Sequence, residues 1–505
     1  MGMTRRGFLV NAGTTSLVLP WARLAWAQKK TSVTIAFPEA ITSMDPQPGS
    51  RNVPRESFYQ AVFDRYLGQD RQLKFQGGIV EAWQYTNPEK TAMDMKVRQG
   101  ISFHDGSALT AEDVAFSLNR MRTTAPYSVV YKNITSIEMP DRFSLRLKFG
   151  AYDPAFTKWL GFLAGFVLPK AAFEKAGAEE FAKNPVGSGP YKVVRFVPGS
   201  LLVLEAFDKY WKGAPPIKRA IFKVVGDPTA RLSEILSGDS DITLEVPVEE
   251  FNRLAAQPGL KGVKQPVTDV AALFVSPRFE PFQKEEARLA VHHAIDKKTL
   301  VDKVLLGFGI PLSTTEAPLY EAYTDFSFPY NPDRARDLLG KAGYSKSNPL
   351  RLKAMTTKGA KTKDFEVMTA ITQMWKDVGI EAELEIITIP QFFQHRSAKT
   401  IAPLALYFWS NSTGDPINSV GHMTRNKGPF KVWESPDVDP KVDPIFMETD
   451  ERKRIGAAKE AARYVIERGY IIPLYQVVMP VIMKKDLVYD PYPQGFVLPQ
   501  DMSWT

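Results

Sequence analysis

The chain has 505 residues with 44% hydrophobic and 24% charged side chains, it contains no cysteine, and its formal net charge is +8. This length exceeds the roughly 250–300 residues at which a single core stops growing, so at least two lobes are expected. The lack of cysteine excludes a disulfide framework, a thiol nucleophile and thiolate metal ligands. The basic residues are spread along the chain instead of forming the runs that follow a nucleic-acid backbone, so we expect no nucleic-acid partner.

The N-terminal segment has the pattern of an export signal. Arg5 and Arg6 are adjacent, a modest apolar stretch follows at 8–19, and the Ala-Trp-Ala sequence at 25–27 offers a cleavage site. The apolar stretch is shorter than the about 20 residues that span a bilayer. We therefore predict that residues 1–27 are a twin-arginine signal peptide and that a soluble mature protein begins near Gln28, in the periplasm. An N-terminal helix of the folded protein is the alternative.

The first elements after this segment are a strand, a loop and a helix. Residues 32–37 (SVTIAF) are predicted to form the strand, and the sequence Ser-Met-Asp-Pro at 43–46 lies in the loop. Residues 56–67 carry apolar side chains on one helical face. These elements begin an alternation of strands and helices that continues along the chain.

The stretch 91–121 has the most explicit local pattern. Met93, Met95 and Val97 alternate with polar residues, which predicts a strand with one buried face. Two glycine-containing turns and a short strand at 101–103 follow. Thr110 and Asp113 then have the spacing of a helix-capping box. In this motif the side chain of each residue accepts a hydrogen bond from the backbone N–H of the other. The stretch therefore predicts a strand, a short strand and a capped helix.

The same stretch resembles a known family. Residues 97–106 (VRQGISFHDG) and 109–114 (LTAEDV) are similar to the signature of the family 5 extracellular solute-binding proteins, the dipeptide- and oligopeptide-binding receptors of ABC importers. Four later segments resemble the family pattern as well: 187–193 (GSGPYKV), 227–232 (DPTARL), 287–297 (ARLAVHHAIDK) and 331–344 (NPDRARDLLGKAGY). The resemblance implies an α/β, two-lobed periplasmic binding protein fold of type II, with an extra small domain in the N-terminal lobe.

The remaining pattern agrees with an α/β architecture, because strands and helices interleave. Strands are predicted at 141–149, 201–207, 221–225, 382–386, 404–409 and 471–479. Helices are predicted at 285–306, 331–339, 365–378 and 453–468. The predicted domains are lobe I at 28–57, 188–270 and 478–505, the additional small domain at 58–187, and lobe II at 271–477.

The resemblance implies a ligand site at the end of the strand 404–409. In peptide-binding members a Trp is followed three residues later by an Asp that pairs with the ammonium group of the peptide. Trp409 matches, but the position of that Asp is Ser412. Either Asp415 turns inward instead, or the ligand lacks a free α-amino group, and the second alternative is favoured. The predicted contacts of this segment with the ligand are Trp409, Ser410, Asn411, Ser412 and Asp415.

Two further loops are implied to reach the ligand. Ser43 and Met44 match a loop that lies beside the ligand in the family, with a plain Asp-Pro turn as the alternative. Lys358 lies roughly where some dipeptide-binding members carry a carboxylate-binding Arg. A solvated surface lysine is the alternative at that position.

The predicted function is that of a periplasmic receptor, not an enzyme. It would close two lobes over a peptide or similar small polar organic solute and deliver it to the membrane permease subunits of an ABC transporter, as a monomer without a cofactor. An exported enzyme is the alternative, but His104 and Asp105 are neighbours on an extended segment and point to opposite faces. A nickel-chelate or haem-binding protein is another. His292 and His293 are adjacent on a helix and poorly placed to share one ion, so we expect satisfied or exposed histidines and no metal site.

Overall fold

The computed structural model describes residues 30–49, 55–398, 400–401, 403–411, 413–426 and 437–505. The predicted signal peptide and Ser412 lie outside the described residues. The fold below is that of residues 31–505, which form one unit. None of the helices in the described ranges is long and apolar enough to cross a membrane.

The strands bury one or both faces, and most contain β-branched and aromatic residues. In chain order they are β1 Ser32–Phe37, β2 Leu67–Gln69, β3 Phe75–Gly77, β4 Val80–Tyr85, β5 Ala92–Val97, β6 Ile134–Asp141, β7 Ser144–Phe149, β8 Tyr191–Val197, β9 Leu201–Ala206, β10 Arg219–Val224, β11 Ile242–Leu244, β12 Leu260–Val275, β13 Gly309–Pro311, β14 Leu350–Thr356, β15 Ile380–Ile386, β16 Leu404–Ser410, β17 Ile471–Lys484, β18 Leu487–Val488 and β19 Ser503–Trp504.

The helices are mostly short. In chain order they are α1 Pro46–Gly49, α2 Glu56–Val62, α3 Ala111–Met121, α4 Ser128–Tyr131, α5 Phe156–Leu160, α6 Lys170–Ala176, α7 Ala178–Phe181, α8 Pro228–Ser237, α9 Val248–Ala255, α10 Glu285–His293, α11 Lys297–Thr299, α12 Pro332–Lys341, α13 Asp364–Lys376, α14 Ile389–Ala398, α15 Val420–Thr424, α16 Asp439–Met447 and α17 Glu451–Glu467.

One large sheet runs through both lobes. Among the described residues it has eleven strands in the order β15-β14-β16-β12-β17-β11-β1-β10-β9-β8, with β13 paired to β17. In the first lobe β1 is parallel to β10 and β11, and in the second lobe β14 is parallel to β15 and β16. The core of the first lobe contains Ile35, Phe58 and Phe222. That of the second contains Ile371 and Trp375.

The two lobes are joined by the long strands β12 and β17. Their antiparallel pairing is interrupted by an irregularity between Pro266 and Val270, and a second register shift follows between Ala271 and Ala272. Strand β11 pairs with the end of β17 in the first lobe, and β16 pairs with the end of β12 in the second. Because both pairings are antiparallel, β11 and β16 run toward the irregularity from opposite sides. The carboxyl ends of the strands of both lobes therefore meet there.

A separate four-stranded antiparallel sheet has the order β4-β5-β7-β6 within the described ranges. Helix α3 packs on it through Val114 and Leu118, which share a cluster with Met93, Met95 and Leu147. The predicted strand and capped helix of the stretch 91–121 are thus confirmed. The predicted short strand at 101–103 is reduced to a single bridge between Ser102 and Ala108. The domain boundaries stay predictions.

The predicted helix 285–306 is wrong as one continuous element. Helix α10 ends at His293, and Asp296 adopts an extended backbone and caps α11, accepting a hydrogen bond from the Thr299 backbone N–H at 3.0 Å. A π-helical turn at Leu300–Val304 completes the segment. Apolar periodicity continues through the break, because residues on both sides face the same core, so periodicity alone did not reveal it.

Candidate functional site

The carboxyl ends of β1, β11, β14 and β16 meet where the two lobes face each other, and we call this region between the lobes the crevice. In open α/β sheets, ligands bind outside the carboxyl ends of strands. Here these ends lead into the loops that carry Ser43, Glu245, Lys358 and Asn411. The crevice between the lobes is therefore the candidate ligand site.

A charged cluster spans this crevice. The ammonium group of Lys361, which follows β14, lies 2.9 Å from the carboxylate of Asp269 on β12. The negative charge of Asp269, together with those of Glu245 and Glu39, raises the pKa of Lys361 although burial opposes the shift. Glu39 follows β1, Glu245 follows β11 and Asp269 lies within β12, so the cluster brings together segments that are distant in the sequence.

Two ion pairs lie beside this cluster. Lys363 of the second lobe pairs with Glu249 at the start of α9 in the first lobe, which connects the two sides of the crevice. Glu39, in the loop after β1, lies 3.5 Å from Arg55. The described structure thus has the lobes in contact across the crevice.

Arg231 organises the strand ends of the first lobe. Its guanidinium group is buried and donates to the backbone carbonyls of Leu244, Val225, Gly226 and Glu245 at 2.9–3.1 Å. Arg231 belongs to the segment 227–232 that resembles the family pattern. The structure therefore gives this motif a scaffold function: it fixes the ends of β10 and β11.

Trp409 is part of the core at the end of β16. Its side chain is 8% exposed, lies against Phe274 and Tyr407, and donates from Nε1 to the Asn418 carbonyl at 2.6 Å. Ser410 is half-buried, with its hydroxyl oxygen 3.4 Å from that of Thr268. Both residues lie at the crevice end of the strand, and their predicted contact with a ligand stays a prediction.

Asn411 is the centre of a buried polar network. Its amide donates to Glu316 at 3.0 Å, its side-chain oxygen accepts from Thr413 at 3.0 Å, and its carbonyl accepts from the Tyr320 hydroxyl. Ser419 donates to the other oxygen of Glu316. Burial raises the pKa of Glu316 to about 8, so this carboxyl is mostly protonated at neutral pH. The network fixes the loop that follows β16.

Both carboxylate oxygens of Asp415 are hydrogen-bonded within the protein. Both of its carboxylate oxygens accept hydrogen bonds from Arg454 of α17, at 2.9 and 2.7 Å, and one also accepts from the Ile417 backbone N–H at 2.9 Å. The side chains of Asp415 and Arg454 are 0% and 1% exposed. A carboxylate with these partners has no free oxygen to offer an ammonium ion. The prediction that Asp415 contacts the ligand remains without support from this geometry.

Ser43 and Met44 occupy different environments. Ser43 is half-buried, and its carbonyl accepts from the Tyr59 hydroxyl at 2.9 Å. Met44 is buried in the core of the first lobe. The next residue, Asp45, forms a two-pronged ion pair with Arg120 of α3 at 3.0 and 2.5 Å. The loop beside the crevice is thus fixed to the helix of the stretch 91–121.

Lys358 is exposed, with its ammonium group 5.1 Å from the centre of the Phe365 ring. The lysine that reaches the charged cluster is Lys361, three residues later. Asp364 shapes this loop by accepting from the backbone N–H groups of Gly359, Ala360 and Lys361 at 2.8–3.2 Å. The sequence predicted this loop as part of the site. It did not predict the turn around Asp364, which directs Lys361 and not Lys358 toward the crevice.

His104 links the stretch 91–121 to the glycine-rich bend at 187–189. Its Nδ1 accepts from the Gly187 backbone N–H at 3.2 Å, and its Nε2 lies 3.0 Å from the Gly189 carbonyl. Burial lowers the pKa of His104 to about 4, so the neutral ring makes both contacts at pH 7. A Cβ atom on Gly187 would lie 1.9 Å from the Val62 carbonyl oxygen, which is why the bend requires glycine there.

The adjacent histidines do not converge. His292 is buried and stacks on Phe328 with a 3.4 Å separation of ring centres, while Nδ1 of His293 lies 3.0 Å from the Pro329 carbonyl. The ring nitrogens of His292 have no hydrogen-bond partner among the described residues, so the prediction of satisfied or exposed histidines is wrong for His292. Within those residues, no group of three or more metal-binding side chains is arranged to hold an ion.

Comparison with known proteins decides the family. The sequence matches bacterial extracellular solute-binding proteins, family 5 Middle, over residues 74–430. The chain belongs to this family. The resemblance stated from the stretch 91–121 is therefore confirmed, and so is the function as a solute-binding protein of the kind that serves ABC import.

Curated relatives of this family 5 protein cover nearly its whole length. The glutathione-binding protein GsiB of Pectobacterium atrosepticum is 25% identical over 480 residues, which is 90% of each chain. The di/tripeptide-binding protein 1 of Pseudomonas aeruginosa is 24% identical over 463 residues, covering 85% of this chain and 86% of the relative.

Solved structures share the fold. The dipeptide-binding protein of Pseudoalteromonas sp. SM9913, in complex with Met-Leu, superposes with a TM-score of 0.80 at 18% identity, over 94% of this chain and 100% of that one. NikZ of Campylobacter jejuni, in complex with Ni(L-His), gives the same TM-score and identity over 94% and 99% of the chains. The predicted two-lobed type II fold is confirmed.

Sequence reasoning missed part of the crevice. Asp269, Lys361 and Glu245 were not singled out, because each lies on a different segment and none belongs to a motif. One usable signal existed for Glu245: it directly follows the short buried strand β11, where a charged residue marks a strand end. For Lys361 the signal was absent, because the turn around Asp364 depends on backbone contacts.

Proposed function

We propose that this chain is exported by the twin-arginine route and acts in the periplasm as the monomeric receptor of an ABC importer for a peptide-like solute. The solute enters the crevice between the lobes, the lobes close over it, and the closed form delivers it to the permease subunits. The solute leaves chemically unchanged, because the role of the receptor is binding and not catalysis.

The observation that carries this proposal is the convergence of strand ends from both lobes on one charged crevice in a family 5 chain. Two curated relatives that cover at least 85% of the chain are named for glutathione and for di- and tripeptides. These ligands share a peptide backbone and charged ends. Such groups suit a crevice that contains both carboxylates and an ammonium group.

Among the predicted ligand contacts, Trp409 and Ser410 end strand β16 and Asn411 follows it beside the crevice. Ser43 lies in the loop after β1, Met44 is buried in the core of the first lobe, and Ser412 lies outside the described residues. We propose Lys361 as the inward cation in place of the exposed Lys358. A chelated metal is the second candidate ligand, since NikZ, which has the same fold, was solved with Ni(L-His).

The test is to express the full chain in a bacterium with twin-arginine export, purify it from the periplasm and identify released small molecules by mass spectrometry. We expect a processed N-terminus near Gln28, a monomer by light scattering and a released peptide or peptide conjugate. Arg5→Lys with Arg6→Lys should leave the precursor in the cytoplasm. Recovery of a nickel chelate would select the second candidate, and turnover of the solute would overturn the receptor function.

A further inference from the structure

Glu245 has an unusual backbone at the crevice. It follows β11 directly, and its φ is 51°, in the left-handed region that side chains other than glycine rarely adopt. A residue kept in this region costs free energy, and such residues cluster where a ligand is held. This backbone conformation, at a strand end beside the crevice, makes Glu245 a candidate for a role toward a ligand.

The surrounding structure holds this conformation firmly. The Glu245 carbonyl accepts from Arg231 at 2.9 Å, and its N–H donates to the Pro480 carbonyl at 2.9 Å. Strand β17 thus holds the peptide unit before Glu245, and the buried Arg231 holds the peptide unit after it. The backbone of Glu245 is therefore held on both sides by the protein itself.

The carboxylate of Glu245 differs from its acidic neighbours. Asp269 is paired with Lys361 at 2.9 Å, and Glu39 lies 3.5 Å from Arg55. No hydrogen bond or ion pair reaches the Glu245 carboxylate from any residue in the described ranges. The side chain is half-buried, and burial raises its pKa, while the charges of Lys361 and Arg231 lower it and those of Glu39 and Asp269 raise it again.

We propose that the Glu245 carboxylate binds a cationic group of the solute, such as the α-ammonium group of a peptide. This inference rests on the proposed function and specifies its ligand class. The carboxylate that the family resemblance implies at position 412, where this chain has Ser412, is then supplied by Glu245 of the first lobe. The alternative of a ligand without a free amino group, favoured by the sequence around residue 412, is then unnecessary.

The proposal makes charge recognition depend on lobe closure. Glu245 lies in the first lobe, whereas Trp409 and Asn411 lie in the second. A solute that spans the crevice with its ammonium group toward Glu245 contacts both lobes. A partly buried, charge-assisted bond of this kind changes affinity by about 10- to 100-fold.

The experiment compares binding of three probes, Met-Leu, trialanine and glutathione, with their N-acetylated forms. Isothermal titration is carried out on periplasmic wild-type protein freed of bound solute, and on Glu245→Gln. We expect at least one free-amine probe to bind the wild type at least 10-fold more tightly than its acetylated form, and Glu245→Gln to remove that preference. Glu234→Gln is the matched control and should retain the preference, because Glu234 is a half-buried acid of the first lobe that is paired with Lys223 and lies outside the charged cluster.

The outcomes separate the two proposals. If no probe of either form binds the wild type, the peptide-like ligand class fails and the role of Glu245 fails with it. If probes bind but the acetylated forms bind equally well, or if Glu245→Gln retains the preference, the receptor function stands and the inference on Glu245 is overturned.

A second variant distinguishes a ligand contact from a structural role. Glycine tolerates the left-handed backbone, so Glu245→Gly should melt no lower than the wild type while losing the preference for the free amine. A lower melting temperature for Glu245→Gly together with an unchanged preference would mean that Glu245 serves the fold and not the ligand. If Glu245→Gln does not fold, Glu245→Gly still tests whether the carboxylate contacts the ligand.

Discussion

At the scale of single residues, the carboxylates near the crevice divide into two classes. Asp415 and Asp45 are bound in two-pronged ion pairs with Arg454 and Arg120, which support the loops after β16 and β1. Glu245 has a comparable position at a strand end but no direct partner among the described residues. The same chemical group therefore stabilises the scaffold at two positions and remains available to a solute at a third.

The buried Asp415–Arg454 pair gives a direct stability prediction. Asp415→Ala leaves the buried guanidinium group with only the partly exposed Glu451, so the free energy of unfolding should fall by about 3 kcal/mol. Urea denaturation at pH 7 measures the change. Arg454→Met should have a similar effect, and the double variant should lose less than the sum of the two single variants.

The control for this prediction is the exposed pair between Arg351 and Glu381, whose side chains are 70% and 54% exposed. Glu381→Ala should leave the urea midpoint almost unchanged, since surface pairs contribute little. Equal effects of Asp415→Ala and Glu381→Ala would contradict the scaffold role of Asp415.

At the scale of elements, the stretch 91–121 contacts two loops of the first lobe through side chains in its middle and at its C-terminal end. Arg120 on α3 holds the loop before α1, and His104 holds the bend before β8. These contacts explain why a stretch without a direct position in the crevice carries the recognisable sequence pattern. The pattern stabilises the loops that border the crevice.

His104 provides a pH-dependent test of this role. Its pKa is about 4 in the folded protein, lowered by burial, and about 6.5 in an unfolded chain. Between these values the unfolded state binds more protons, so the free energy of unfolding should decrease as the pH falls from 6.5 to 4. His104→Asn removes the titrating group and should show a shallower decrease in urea denaturation.

His422 also has a pKa lowered by burial to about 4, but it is present in both proteins and its contribution cancels in the comparison. Identical pH profiles for the wild type and His104→Asn would show that His104 does not titrate as the structure implies.

The bounds of strands and helices could be predicted where a single local pattern, such as alternation or a capping box, determined them. The strand β1 and the helix α3 with its Thr110–Asp113 capping box have the bounds that alternation and capping indicate. The helix at 285–306 was mispredicted because Asp296 interrupts it with a cap while the apolar periodicity continues. Local cap chemistry outweighed the periodic signal at that point.

At the scale of the whole molecule, the sequence predicted the fold class through family motifs but only part of the crevice. Trp409 ends the predicted strand β16, and Asn411 and Ser43 lie on loops that follow recognisable strands. Glu245, Asp269 and Lys361 come together only when β12 and β17 align the two lobes, and spacing along the chain contains no information about that alignment.

The connection between lobes also predicts a motion. Lys363 and Glu249 pair across the crevice, and Lys90 of the four-stranded sheet donates to the Thr449 carbonyl at 2.6 Å in the second lobe. Both contacts must break when the crevice opens, while β12 and β17 remain continuous. We expect the strands to bend at the irregularity between Pro266 and Val270.

The most direct test of solute capture between closing lobes is small-angle X-ray scattering of the wild-type protein, first freed of bound solute and then saturated with the solute released from it. Ligands shift a two-state protein toward the form that binds them better. We predict that the radius of gyration of the stripped protein is larger and that it decreases on saturation to the value calculated for residues 31–505 of the structure. An unchanged radius of gyration at saturation, with binding confirmed by titration in the same sample, would contradict closure of the lobes over the solute.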